Sequence, residues 1–75
     1  MRTEKFKMER PDLVHVGDEV EISEHGTTIL SYIIEPAVAM SGCYNSSNRI
    51  LSTHGTVVRI DPYESAFYVY VEFES

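Results

Sequence analysis

Strict alternation of apolar and polar side chains dominates the C-terminal stretch of the chain. Phe67, Val69, Val71 and Phe73 share one parity, and Tyr68, Tyr70 and Glu72 the other. A period of two marks a strand with one buried face. Thr56 to Ile60 is a second β-branched run. Between the two, Asp61-Pro62-Tyr63-Glu64 suits a turn with Pro preset for its second position. The pattern predicts an antiparallel hairpin over residues 56–73, with Phe67, Val69, Val71 and Phe73 facing a core.

The same period runs upstream. Val14, Val16, Val20 and Ile22 share a parity in which Asp18 is the polar exception, and Gly17-Asp18 reads as a turn or bulge. Val20 to Ser23 reads as a strand, Glu24-His25-Gly26 as a turn, and Thr27 to Ile34 as a strand ended by Pro36. Residues 36–54 are irregular. Pro36 to Met40, followed by Gly42, admits a short helical turn over 37–41, and Gly42 to Asn48 is small, polar and turn-prone. Lys5, Phe6, Lys7 and Met8 alternate, so residues 1–12 read either as a basic N-terminal arm or as a short edge strand. With 75 residues there is room for one domain, which we place at 13–75. Several short strands with little helix must bury their faces against each other, and a sheet closed on itself does so. The expected fold is all-β: a five-stranded SH3-like barrel with a long irregular loop at 36–54, lying outside the core strands.

Two stretches resemble a known family. Val16-Gly17-Asp18-Glu19-Val20-Glu21-Ile22 resembles the opening strand of KOW-type SH3-like modules, and Gly55-Thr56-Val57-Val58-Arg59-Ile60-Asp61 resembles their later Gly-x-Val strand. The resemblance implies a small barrel that binds RNA or protein. It departs from the family in charge, since carboxylates stand where cations are usual, and in the length of the intervening segment.

Charge sharpens this. Residues 1–10 hold four cations against two carboxylates, whereas residues 11–75 hold only Arg49 and Arg59 against ten carboxylates, for a net charge of −6 overall. Affinity for nucleic acid rests largely on Lys and Arg at phosphates. The acidic body therefore argues against direct binding of nucleic acid or an anionic membrane, and favours a protein partner with a basic surface. Cys43 is the one cysteine, so no intrachain disulfide can form. Residues 1–13 lack the apolar run of ~7–15 residues that export needs, and no stretch approaches the ~18–20 apolar residues of a membrane helix. The expectation is a cytoplasmic protein.

Candidate chemistry is sparse. His15, His25, His54 and Cys43 lack the close pair spacing of a zinc site, and Cys43 has only Arg49 near it in sequence to activate a thiolate. No phosphate loop, dinucleotide fingerprint or hydrolase triad is present. We expect no catalytic residues, no metal and no cofactor. Five tyrosines are the notable feature, because tyrosine joins rigid contact area to a polar tip. The expected function is a small acidic protein-binding module. Its contact residues would be Tyr44, Asn45 and Arg49 of the loop with Tyr63, Tyr68 and Tyr70 of the hairpin. Two other classes stay open. One is an acidic nucleic-acid mimic that blocks a DNA- or RNA-binding protein, as small phage and mobile-element proteins do. The other is a KOW-like RNA-associated module using the basic arm.

Overall fold

Val69, Val71 and Phe73 are all 1% exposed or less, and Phe67 packs half-buried at the edge of the same core. The C-terminal alternation therefore points inward as its period demands. Its strand, β7 (Ala66–Phe73), pairs antiparallel with β6 (His54–Tyr63). The structure is a computed structural model that describes residues 1–10, 12–35 and 39–74. Its other strands are β1 (Arg2–Met8), β2 (Glu19–His25), β3 (Ile29–Ile34), β4 (Ala39–Ser41) and β5 (Tyr44–Asn45), with a 3-10 turn at Ser46–Asn48. The antiparallel order β2-β6-β7-β1-β4-β3 closes through β3 onto β2, and β5 adds to β3 beyond the end of β4. The fold is thus an all-β closed barrel of six strands with one short extra strand.

The barrel has more strands than the expected five because both ambiguous segments join it. Residues 2–8 are neither an arm nor an edge: β1 lies between β7 and β4 and is paired along its length with β7. Phe6 and Met8 point inward at 0% and 1% exposure, while Lys5 and Lys7 point out. Ala39–Ser41 is strand β4, not the last part of a helical turn, and residues 36–38 lie outside the described residues. Ala and Met favour helix in isolation, but pairing with β1 on one side and β3 on the other overrides that preference.

The hairpin turn is shifted from its expected place. The strand runs through Pro62 to Tyr63, and the chain reverses at Glu64-Ser65, with Glu64 at φ 52°. Pro62 is tolerated for a geometric reason. Tyr63 and Ala66 close the hairpin, so the next pair, Pro62 with Phe67, is one that exchanges no ladder hydrogen bonds. The other edge of β6 is covered by β2 only from His54 to Thr56.

Val16 departs from its parity. It is 62% exposed, whereas Val14 and Val20 are buried. The chain turns at Gly17, whose φ of 97° suits glycine. The Gly17 N–H donates to the Val57 carbonyl at 2.7 Å and the Val57 N–H to that of Asp18 at 2.8 Å, and β2 starts only at Glu19. Similarly, Thr27 and Thr28 belong to the turn before β3. That turn needs Gly26, at φ 109°, because a Cβ there would collide with the Ile29 carbonyl oxygen.

Val69 is fully buried between β1 and β6. Val69→Ala should cost about 1–3 kcal/mol through lost burial and a residual cavity, read as a lower urea midpoint at unchanged slope.

Candidate functional site

The tyrosines fall into two groups on opposite sides of β1. The first closes one end of the barrel. Tyr32 on β3 points inward at 1% exposure, the largest wholly buried side chain. Its hydroxyl donates to Glu24 Oε2 at 2.7 Å and accepts the Ile50 N–H at 2.8 Å. Glu24 also accepts from Arg49, Nε at 3.2 Å and Nη2 at 3.1 Å. Tyr44 on β5 sets its ring 5.8 Å from that of Tyr32 and donates its hydroxyl to Glu4 Oε1 at 2.7 Å. Glu4 pairs with Arg2, whose guanidinium donates to the carbonyls of Asn48 at 2.6 Å and Arg49 at 2.9 Å.

This network fastens the segment after β4 onto the barrel. Ile50 is a core residue at 3% exposure, and the Ile22 N–H donates to the Thr53 carbonyl at 2.8 Å. The loop therefore does not lie outside the core, as the sequence pattern suggested. Tyr44 and Arg49 are built into it. Asn45 is exposed beside them, its side-chain oxygen accepting the Ser47 hydroxyl at 2.7 Å.

Burial foremost, and then the hydrogen bond given to a carboxylate, raises the pKa of both Tyr32 and Tyr44 above the ordinary 10.0. The fold therefore favours the neutral phenols. Their contribution is complete below pH 10 and is lost as pH climbs through the raised values. Absorbance titration should show part of the tyrosine signal ionising only in step with unfolding above pH about 10. Tyr44→Phe should shrink that delayed fraction.

The second group lies on the outer face of β1, β6 and β7. Register sets Lys5 opposite Tyr70 and Lys7 opposite Tyr68 on one side of β7, with Arg59 opposite Tyr70 and Asp61 opposite Tyr68 on the other. Tyr63 is half exposed at 50% and stacks on Tyr68, centroids 4.9 Å apart and planes 27° apart. The Lys5 ammonium sits 4.3 Å from the Tyr68 centroid. Arg59 lies 5.8 Å from the Tyr70 centroid and pairs with Asp61 at 2.8 Å.

The structure thus brings Tyr63, Tyr68 and Tyr70 together and sets Tyr44 and Arg49 apart from them. Period two on β1 is the reason: Arg2 and Glu4 turn to the Tyr44 side, Lys5 and Lys7 to the hairpin tyrosines. The alternation of Lys5 and Lys7 with Phe6 and Met8 allowed an arm or a short edge strand, but nothing in it pairs β1 with β7, and that pairing is what brings the two lysines beside Tyr68 and Tyr70.

A depression of about 100 Å³ lies against Glu24, Tyr32 and Arg49, and two larger ones lie away from the tyrosines. One, of about 380 Å³, is bordered by Glu19, Glu72, Glu74, His54, Leu51 and Met1. The other, of about 270 Å³, is apolar and bordered by Met8, Val14, Val16, Ile60 and Phe67. Among the described residues no three His, Cys, Asp or Glu side chains converge to hold a metal, and no helix is long and apolar enough to cross a membrane. Cys43 is exposed. No family model, curated protein or solved structure matches the chain.

Proposed function

We propose that this chain is a cytoplasmic protein-binding module of SH3-like, KOW-related architecture, working as a docking unit and not as an enzyme. The observation that carries the reading is the grouping of Tyr63, Tyr68 and Tyr70 on one outer sheet face, with Lys5 and Arg59 against their rings. Rigid aromatics with polar tips are the side chains that anchor protein interfaces. The architecture is supported by pairing between the two stretches that resemble the family, since Val20 opposes Gly55 and Glu19 opposes Thr56.

One observation favours a second reading, in which a partner with a basic surface meets the chain elsewhere, as it would meet a nucleic-acid mimic. Glu19, Thr56 and Glu72 form one row across β2, β6 and β7, and both glutamates border the 380 Å³ depression with Glu74. Opposite potentials would steer such a partner to it.

The test is affinity purification with tagged protein from the source cells. Tyr63→Ala with Tyr68→Ala should release the wild-type partner, each anchor being worth about 1–2 kcal/mol or more. Glu19→Gln with Glu72→Gln should leave it bound. The reverse result transfers the docking site to the acidic row, and retention by both variants overturns both readings.

A further inference from the structure

The charge of the tyrosine face is opposite to that of the chain. The protein carries −6 overall, yet the outer face of β1 and β7 carries Lys5 and Lys7, and neither is ion-paired among the described residues. The other cations nearby are engaged, Arg2 with Glu4 and Arg59 with Asp61. Lys5 rests against the Tyr68 ring, which holds the ammonium in place without neutralising it. The hydroxyls of Tyr63, Tyr68 and Tyr70 form no hydrogen bond among the described residues, unlike those of Tyr32 and Tyr44. What this face leaves unsatisfied around Tyr68 and along β1 is therefore a set of donors: two ammonium groups and phenolic O–H groups. Glu64, in the turn next to Tyr63, and Glu72, farther along β7, are the nearby carboxylates that lack an ion pair among the described residues.

We propose that this face binds an acidic, extended segment of a partner protein, in which Asp or Glu side chains reach Lys5 and Lys7 and intervening apolar side chains lie against Tyr63 and Tyr70. The proposal rests on the reading of this face as the docking surface and adds the partner's chemistry. Carboxylates fit the donor set, since they accept charge-assisted hydrogen bonds from ammonium and hydroxyl groups alike. Phosphates of a single-stranded nucleic acid are the rival acceptors. Tyr68 is already stacked by Tyr63 and contacted by Lys5, so the rings open to a base are the same Tyr63 and Tyr70, and charge has to separate the two acceptors. The ten carboxylates of residues 11–75 would repel a long polyanion more than a short segment with spaced acids.

The experiment is an amide chemical-shift titration of the isotope-labelled full chain with three probes. These are an unstructured peptide alternating Glu and Leu, the same peptide with Lys replacing Glu, and oligouridylate. The Glu peptide should shift the amides of Lys5, Lys7, Tyr68 and Tyr70, and its affinity should fall as salt rises. Lys5→Glu with Lys7→Glu should weaken it about tenfold or more. Both lysines are exposed, and the milder pair Lys5→Gln with Lys7→Gln should weaken it several-fold with an unchanged amide spectrum. A stronger response of these amides to the Lys peptide overturns the acidic partner while leaving the docking face intact. Preference for oligouridylate overturns the partner class. No response of this face to either peptide overturns the proposal, and partner release by Tyr63→Ala with Tyr68→Ala still decides separately whether the face docks a protein.

Discussion

Replacing residues 43–48 with a Gly-Ser link should unfold the protein, not merely remove a surface. The replacement deletes Tyr44, with its ring contact to Tyr32 and its hydrogen bond to Glu4. It removes the Asn48 carbonyl that receives the Arg2 guanidinium and the β5 pairing to Ile29 and Leu30. It also loosens Ile50, which reaches the core from the end of this segment. Aromatic pairing adds about 0.5–1.5 kcal/mol beyond burial, and each hydrogen bond about the same again. Together with the lost burial, about 4 kcal/mol or more is at stake. A domain of this length has about 4–11 kcal/mol in total. Far-UV circular dichroism and a urea titration decide the matter. A variant with the wild-type midpoint would show that the segment is dispensable to the barrel.

Tyr32→Ala should be comparably damaging, at about 3–5 kcal/mol, because it empties the largest wholly buried site. Tyr32→Phe isolates the hydroxyl. It leaves the buried Ile50 N–H without its acceptor and Glu24 without its phenolic donor. An unmet buried donor costs about 1–3 kcal/mol, and that is the loss we expect from this variant. Tyr44→Phe should cost less, since Tyr44 is half-buried and water can reach Glu4 in place of the phenol. Equal losses from the two phenylalanine variants would mean that the Ile50 bond contributes nothing specific.

The C-terminal hairpin was legible because both of its faces are continuous: three inward β-branched and aromatic positions on β7 are buried without exception from Val69 to Phe73. β1 was half legible. Its inward parity reads Arg2, Glu4, Phe6, Met8, and the two polar members belong to the network at the barrel end, which no local pattern reveals. β4 was illegible, since Ala39 and Met40, both helix formers, become a strand with Ser41 through their neighbours. The turn at Glu64-Ser65 was displaced by reading Pro62 as a turn residue, where the ladder instead leaves its missing N–H without consequence. At the candidate site, the hairpin tyrosines could be grouped from parity alone. Separating Tyr44 from them required knowing that β1 runs between the two groups.

The pairing of β1 with β7 sets Arg2 beside Phe73 and Met8 beside Phe67, joining the two ends of the described chain. Closure of the barrel therefore waits for its most sequence-distant partners. Until β7 is present, Phe6 and Met8 have no strand to cover them on that side, and β4 lacks the neighbour that makes it a strand. Domains dominated by such non-local pairing fold in about milliseconds to seconds, well behind helical chains of equal length. On a ribosome delivering about 5–20 residues per second, the N-terminal strand is left waiting for seconds with its apolar side chains bare. The interval between the emergence of β1 and that of β7 is when these unpaired strands are most open to chaperones and to misassembly.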